Sequence, residues 1–304
     1  MCLFKKRKIC VTHNGTFHAD DLFATATLSI LHDGNIKIIR TRDPNIFAKA
    51  DYLYDVGGEN YPERNRFDHH QMGGGGKREN GIPYSSFGLI WKKYGEQICG
   101  SKEVSKMIDE KIVQSIDAKD EGFDICEFKI KGIFPYSVEN IFLSEIPTWK
   151  EDTSNLDEIF NRQLKKVIVL LKREIKIAKD DVLGIDMLLD FYNKSQDKRI
   201  VVSENDFPRY LLQDTLSKLP EPIYFVYPSS KGTSWKVEAI RKSPETMESR
   251  KLFPEPWRGY SLGDIKLKEI TGVNDIIFCH QNGFYLNVES KEGALELANK
   301  ALIA

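Results

Sequence analysis

The first half of the chain alternates between short apolar runs typical of β-strands and longer segments with apolar residues at helical spacing. The first helix is expected to begin at Asp20, which suits an N-cap, and to carry its apolar stripe to Ile30. Because predicted strands alternate with predicted helices, we expect a parallel, doubly wound α/β sheet. The predicted strands are Ile9–Thr12, Ile36–Arg40 and Asp51–Val56.

Two more helices are predicted before the middle of the chain. The stretch SSFGLIWKKYG predicts a helix that is capped by Ser85 or Ser86 and closed by Gly95. The stretch VSKMIDEKIVQSIDAKD, residues 104–120, predicts a second helix because its apolar residues fall on one stripe.

The second half has a different organisation. Its longest helical signal, Leu156–Lys194, is predicted to link two domains. Beyond it, the runs RIVVSE, PIYFVYP, SWKVEAIRK and DIIFCH predict strands, and KEGALELANKALIA predicts a final helix. We therefore expect a first domain over residues 1–193, which includes the linking helix, and a smaller α+β domain over residues 194–304.

Composition and cysteine usage narrow the class of protein. With 41% hydrophobic and 29% charged residues, the chain of 304 residues is typical of a soluble globular protein. No apolar run is long enough to predict a membrane span, and the first ten residues lack the apolar region of a secretory signal. The five scattered cysteines form no CxxC pair, which favours a reducing, intracellular setting. The cytoplasm is the default expectation, with nucleus and mitochondrion left open.

The net charge of −1 argues against broad, sequence-blind binding to long duplexes, whose affinity depends on neutralising many phosphates. A local basic groove is still compatible with the composition, because lysine and arginine together number 44.

Histidines and aspartates cluster near the predicted ends of elements in the first half. Ligands in an open α/β sheet bind beyond the carboxyl ends of the strands, so these clusters are expected to converge there. They comprise His13, His18, Asp20 and Asp21 after the first strand, Asp55 at a strand end, the run Asp68, His69 and His70, and Asp117 with Asp120 late in a helix.

Mixed carboxylate and imidazole ligands suit a divalent ion such as Mn²⁺, Fe²⁺, Co²⁺ or Zn²⁺, whereas a pure Mg²⁺ site normally has fewer histidines. Two such ions about 3.5–4 Å apart can share a bridging carboxylate and lower the pKa of a bound water. The resulting hydroxide would attack phosphorus in line. The residues alone thus predict a metal-dependent phosphoesterase.

The order of these clusters resembles the DHH phosphoesterase superfamily. Within it, the stretches THNGTFHADD, RTRDP, YDVGG, RFDHHQ, ESRKLFPEPWRG and KEGAL resemble the melanocyte-proliferating-gene exonuclease family over nearly the whole chain. The resemblance implies a DHH-type fold and two metal ions, with Mn²⁺ as the preferred ion and Mg²⁺, Co²⁺, Fe²⁺ or Zn²⁺ as alternatives. The implied metal ligands are His13, His18, Asp20, Asp55, His69 and Asp117, with Asp120 as the alternative to Asp117.

The resemblance also implies roles within this set. Asp55 would bridge the two ions, and His70 would contact the substrate phosphate. The superfamily turn usually carries His-x3-Asp-x-Asp, whereas His18 stands here where an aspartate is usual. This departure shifts the expected metal preference towards ions softer than Mg²⁺.

The second domain is expected to grip the substrate. Arg250, Lys251 and Arg258 would hold phosphate, because guanidinium groups match its oxygens. Trp257 would either stack a base or pack in the core. The glycine pair expected after Gly283-Phe284 is replaced by Tyr285, Leu286 and Asn287.

Three functions follow from these observations. The leading hypothesis, whose nucleic-acid part comes from the resemblance, is a 3′-5′ exonuclease on single-stranded RNA. The second is a small-molecule phosphohydrolase acting on pyrophosphate or on a short or cyclic dinucleotide. The third is a non-catalytic metal-binding module. No membrane partner is expected, and the oligomeric state is left open, a homodimer included.

Overall fold

The computed structural model of the chain describes residues 6–127, 129–260 and 262–304. The chain divides into two compact units, Met1–Lys179 and Asp180–Ala304. The boundary between the two units therefore lies inside the long helix, whereas the predicted boundary follows residue 193.

The first unit contains a mixed five-stranded sheet. Its spatial order is β2-β1-β3-β5-β4, in which β2, β1, β3 and β5 are parallel and the edge strand β4 is antiparallel to β5. The strands are β1 (Lys8–Thr12), β2 (Ile36–Arg40), β3 (Tyr52–Tyr54), β4 (Asn60–Tyr61) and β5 (Arg66–Phe67).

The path of the chain through this sheet reverses next to β1. After β1 the chain runs through helix α1 (Ala19–Leu31) to β2 on one side, and then to β3 on the other side. In parallel α/β sheets such a reversal opens a crevice at the carboxyl ends of the two central strands. The fold therefore places a crevice beyond the ends of β1 and β3.

Helices of this unit pack against one another through apolar faces, as shown by the rings of Phe23 in α1 and Phe87 in α3, whose centroids are 5.4 Å apart. The helices after α1 are α2 (Pro44–Phe47), α3 (Ser86–Cys99), α4 (Lys102–Ile108), α5 (Gln114–Asp120), α6 (Val138–Leu143) and α7 (Leu156–Lys194). A π-helical turn, Asp109–Val113, joins α4 to α5, and a 3₁₀ helix spans Pro62–Arg64.

Two helix ends differ from the prediction. The N-cap of α1 is His18 and not Asp20, and the backbone N–H of His18 donates to Asp21 Oδ1 at 3.0 Å. Helix α3 continues through Gly95 and ends at Gly100, whose φ of 75° is a left-handed C-cap conformation. The close packing of α3 requires a glycine at position 95, because a Cβ there would collide with Ser105 Oγ and the ring of Trp91.

The second unit has a second mixed sheet, in which β6 and β7 are parallel and the other neighbours are antiparallel. Its order is β6-β7-β8-β10-β9, with strands β6 (Ile200–Val202), β7 (Tyr224–Pro228), β8 (Trp235–Ala239), β9 (Ile276–Cys279) and β10 (Tyr285–Val288). Its helices are α8 (Arg209–Leu216), α9 (Ile265–Thr271) and α10 (Lys291–Ile303), with a 3₁₀ helix at Glu255–Trp257.

Both units combine helices with a sheet, so the α/β class is confirmed, while the DHH-type doubly wound arrangement stays a prediction. The four strands and the last helix predicted for the second half are present, and α8, α9 and β10 were not predicted. Among the described residues, no helix is both long and apolar enough to cross a lipid bilayer.

Candidate metal centre and family membership

The carboxyl ends of three parallel strands bring the clustered acids and histidines together. His13 follows β1 directly, Asp55 follows β3, and Asp68 opens the run that follows β5. Because β1, β3 and β5 run in the same direction, these side chains meet at one edge of the sheet.

Asp55 lies at the middle of the cluster and is almost fully buried. Its Oδ2 is 3.0 Å from His13 Nε2, and its Oδ1 is 3.6 Å from His70 Nδ1 and 3.9 Å from His69 Nδ1. Its backbone φ of 55° lies in the left-handed region, which costs a non-glycine residue free energy and which occurs preferentially at functional sites. One carboxylate thus faces three histidines.

His13 is held on one side by the backbone and faces acids on the other. Its Nδ1 lies 3.1 Å from the Asn14 carbonyl, and donation to that oxygen leaves Nε2 available as a ligand. Nε2 also lies 3.4 Å from Asp21 Oδ2. Burial opposes the charged ring, but the hydrogen bond to Asp55 and the charge of Asp21 outweigh it and raise the pKa of His13.

Asp20 is fully buried, and neither of its carboxylate oxygens makes a hydrogen bond of ordinary geometry in the described part of the chain. Its oxygens instead face those of another acid, Asp120, and the ring of His18. Burial, together with the charges of Asp55 and Asp120, raises the pKa of Asp20 well above its usual value. A buried acid without donors requires either a proton or a cation.

Asp21 lies in the first turn of α1 and is buried beside His13. Burial, followed by the charge of Asp55, raises its pKa to about 7, although the charge of His13 opposes the shift. Nothing in the sequence distinguishes it from a helix-capping acid, because its burial depends on the packing of α1 against the sheet.

His69 lies between the start of α3 and the end of α5. Its Nδ1 is 3.0 Å from the Ser86 backbone nitrogen and 3.1 Å from Ser86 Oγ, and its Nε2 is 3.1 Å from Asp120 Oδ2 and 3.6 Å from Glu121 Oε1. Because the Ser86 backbone N–H donates to Nδ1, the neutral ring carries its proton on Nε2 and donates it to Asp120; a cation at Nε2 would need the other tautomer, with Nδ1–H donated to Ser86 Oγ. Although burial opposes it, the hydrogen bond to Asp120 raises the pKa of His69.

Asp68 orients His70. Its Oδ1 accepts from His70 Nδ1 at 2.8 Å, and its Oδ2 accepts from the Gly58 backbone N–H at 2.6 Å. Burial works against ionisation, but these hydrogen bonds lower the pKa of Asp68. The His70 ring stacks on His69 with centroids 4.2 Å apart and is 60% exposed. His70 therefore turns Nε2 away from Asp68.

Asp117 and Asp120 have different surroundings. Asp117 accepts hydrogen bonds from Ser85 Oγ, from the Gly88 N–H and from the Arg78 guanidinium, at 2.6, 3.0 and 2.7 Å. Burial raises its pKa to about 7 despite these donors. The structure thus does not bring Asp117 into the cluster, and it places Asp120, the alternative from the sequence, next to His69.

The clustered side chains offer four overlapping sets of donor atoms, each within 4.8 Å. Glu121 belongs to one of them and was missed, although its position next to Asp120 was a signal. The sets are His13, His18 and Asp55; His18, Asp20 and Asp120; Asp55, Asp68, His69 and His70; and His69, Asp120 and Glu121.

The mixed oxygen and nitrogen donors, and the unpartnered carboxylate of Asp20, fit a divalent cation. A site with several histidines suits Mn²⁺, Fe²⁺, Co²⁺ or Zn²⁺ better than Mg²⁺.

The cations expected to grip phosphate in the second unit contact backbone carbonyls. Arg250 donates to the carbonyls of Ser217, Leu219 and Pro222. Lys251 Nζ donates to the Leu302 carbonyl at 2.8 Å, and Arg258 donates to that of Phe253. Trp257 packs in the core of this unit, 6% exposed, so packing and not base stacking is its observed role.

Two other features near the first-unit site have structural roles. Arg40, whose guanidinium donates to the Gly15 carbonyl at 2.7 Å, is almost buried over the rings of Phe17 and Phe160. The glycine block 73–76 precedes a hydrogen-bonded turn in which the Tyr84 N–H donates to the Gly76 carbonyl.

Comparison with known proteins gives a match over residues 8–302 to the MYG1 exonuclease family, whose description reads "Uncharacterised protein family (UPF0160)". The chain belongs to this family. The family predicted from the sequence motifs is thereby confirmed, while membership of the wider DHH superfamily stays a prediction.

Curated relatives cover nearly all of the chain. A MYG1 exonuclease of Rattus norvegicus is 30% identical over 96% of this chain and 84% of its own length. A MYG1 protein of Schizosaccharomyces pombe is 31% identical over 96% of both chains. A solved structure, the pGpG-specific phosphodiesterase PggH from Vibrio cholerae, is 12% identical over 98% of both chains with a TM-score of 0.28, too low to inform fold or function.

Proposed function

We propose that this chain is a metal-dependent phosphodiesterase that acts as an exonuclease on single-stranded nucleic acid, with RNA and the 3′ end as the preferred substrate and direction. The observation that carries the metal-dependent part is the buried Asp20 carboxylate, which lacks a donor in the described structure and faces His18 and Asp120. Membership of a family with curated exonucleases supports a hydrolase acting on phosphodiester bonds.

Two divalent ions are proposed, with Asp55 between them. One would be held by His13, His18 and Asp55, whose donor atoms form one set in the structure. The other would be held by Asp20, Asp55, His69 and Asp120, with Asp120 in place of Asp117, the first choice of the sequence-based prediction. Bound there, the ions would supply Lewis-acid chemistry, lowering the pKa of water and neutralising charge on phosphate oxygens.

The protein's own groups hold this arrangement and contact the substrate. Ser86 fixes the ring plane of His69, and the left-handed backbone at Asp55 directs its carboxylate towards the three histidines. Asp68 accepts from His70 Nδ1–H, and the exposed Nε2 is proposed to donate a hydrogen bond to a phosphate oxygen when the ring is protonated at both nitrogens. Such a charge-assisted hydrogen bond positions the phosphate before reaction.

The test compares wild type with Asp55→Ala on end-labelled single-stranded RNA with Mn²⁺, alongside pyrophosphate. Stepwise release of mononucleotides by wild type alone is the expected result. Release of phosphate from pyrophosphate with the RNA intact would assign a small-molecule phosphohydrolase instead. Inactivity on both substrates, together with protein that holds no divalent metal, would leave a non-catalytic module.

A further inference from the structure

The segment 122–137 leaves the candidate metal centre and returns to it. It begins directly after Asp120 and Glu121, whose side chains both contact His69. It ends at α6, where Phe142 packs edge-on against Phe23 of α1 with centroids 5.6 Å apart. The first turn of α6 also carries Glu139, whose pKa is raised by burial and, against the charge of Lys119, by the charge of Asp120. Both ends of the segment therefore lie beside the centre.

This segment exposes an unusual amount of apolar side chain for one of its length. Large aliphatic and aromatic side chains are usually buried, because leaving one exposed costs roughly 1.5–3 kcal/mol of folding free energy. A group of exposed apolar side chains close together therefore indicates a binding surface for another molecule. Its exposed large apolar residues are Phe123, Ile125, Ile130, Ile133, Phe134 and Tyr136.

Tyr136 combines exposure with a fixed orientation. Its ring is 72% exposed, and its hydroxyl donates to the Asn140 carbonyl at 3.2 Å. The backbone next to it is fixed too, because Ser137 caps α6 through Asn140. An exposed ring that is already oriented loses little conformational entropy when it stacks on a ligand.

The charges of the segment do not favour an ionic partner. Two acids, Asp124 and Glu127, balance two lysines, Lys129 and Lys131. Base stacking on aromatic rings needs no charge and tolerates any base, whereas phosphate contacts need cations.

We infer that the exposed rings of Tyr136 and Phe134 form a platform on which an unpaired base of the substrate strand stacks beside the metal centre, with Tyr136 as the main ring. This inference rests on the proposed function. It extends that function by identifying the part of the chain that selects unpaired strands, since bases in a duplex present no free face for stacking.

The test uses Tyr136→Ala, with Tyr136→Phe to keep the ring and Tyr61→Ala as a matched control. Tyr61 is 47% exposed in the same unit and pairs with Arg66 at the start of β5, away from the carboxyl end where the metal centre lies. KM and kcat are measured on a single-stranded oligoribonucleotide and on bis(p-nitrophenyl) phosphate, a phosphodiester without bases.

Tyr136→Ala is expected to raise KM for the oligoribonucleotide about 5- to 150-fold, the loss that corresponds to one stacked base. Its kcat and its turnover of bis(p-nitrophenyl) phosphate should match wild type. Tyr136→Phe should stay within about threefold of wild type, because it loses only one hydrogen bond. Tyr61→Ala should behave as wild type.

A separate binding measurement keeps this inference distinct from the proposed function. Metal-chelated protein is titrated into oligonucleotides that carry 2-aminopurine at one end, whose fluorescence is quenched by stacking. If wild type hydrolyses neither substrate but quenches the probe and Tyr136→Ala does not, the proposed function fails and the platform stands. Equal KM and equal quenching in both proteins would overturn the platform. So would a wild-type dimer that Tyr136→Ala dissociates, which would assign this surface to a second copy of the chain.

Discussion

Each unit of the chain contains a buried carboxylate, and the two carboxylates have opposite hydrogen-bonding environments. In the second unit Glu238 is 1% exposed and accepts hydrogen bonds from Arg209, Gln213 and Tyr227. In the first unit Asp20 is fully buried, has no donor among the described residues and faces a second acid. A satisfied buried acid stabilises its fold, whereas an unsatisfied one costs free energy unless a cation joins it.

The same contrast applies to cations and histidines. Arg250 and Arg258 of the second unit donate to backbone carbonyls, while His13 and His69 of the first unit face carboxylates. Charged residues in a family motif therefore do not all belong to the candidate site, and some stabilise the fold instead. A side chain that faces backbone carbonyls stabilises the fold, whereas one that faces other ionisable groups can belong to the site.

The largest effect is expected at Asp55. Asp55→Ala should remove both ions and lower turnover by more than about 100-fold, since even changes to partners of metal ligands cost 10–100-fold. Metal content after loading and turnover on a phosphodiester are measured on the same sample. Asp55→Asn is the matched control for fold, because asparagine tolerates the left-handed backbone that Asp55 adopts. Full turnover with metal retained in Asp55→Ala would overturn the assignment.

The two acids of α5 should separate metal binding from stability. Asp120→Asn is expected to weaken metal affinity at least about 10-fold with little change in the melting temperature of the metal-free protein. Asp117→Asn should instead lower the free energy of unfolding by about 3 kcal/mol, because Arg78 loses its buried partner. Metal titration and thermal unfolding measure both effects. The reverse pattern would return Asp117 to the ligand set.

The two buried carboxylates, Asp20 and Glu238, can be compared directly in metal-free protein. Glu238→Gln is expected to lower the free energy of unfolding by about 1–3 kcal/mol, because the donors around it lose an ionised acceptor. Asp20→Asn should leave stability unchanged or raised, because it removes a carboxyl whose pKa burial holds well above the usual value. Denaturant unfolding in the presence of a chelator measures both. Equal losses would show that Asp20 has a donor in solution.

A smaller effect is expected for Arg250→Ala. The guanidinium satisfies three backbone carbonyls, so its removal should cost about 2 kcal/mol of unfolding free energy. KM for the oligoribonucleotide should change less than twofold in the fraction that stays folded. A large rise in KM without loss of stability would restore the phosphate-binding role that the sequence suggested.

The smallest effect concerns the thiols. Burial raises the pKa of Cys10 to about 12, of Cys99 to about 11 and of Cys279 to about 12, so few thiolates are present in either unit at neutral pH. Cys126 is exposed. Peptide mapping after brief treatment with iodoacetamide should find Cys126 modified and those three intact. Early modification of Cys99 would show that the first unit opens locally.

The periodic elements were the most predictable part of the fold. The bounds of α7, Leu156–Lys194, follow from its continuous apolar stripe, and β1 and β2 follow from runs of β-branched residues. The short strand β5 and helix α8 were not predicted, because two to eight residues carry too little periodicity to separate them from loop. The start of α1 was placed two residues late, because Asp20 is an ordinary N-cap residue and His18 is not.

Motifs and periodicity are local properties of the chain, and they were enough to predict the family, the alternating α/β order and the chemical types of the candidate ligands. Which acids and cations face one another could be seen only in the folded protein. Asp120 and not Asp117 lies beside His69, and Arg250 faces carbonyls, because burial and orientation depend on how distant segments pack. Residues 117 and 120 lie on one helix turn, so no sequence pattern could tell which of them the packing would turn towards the cluster.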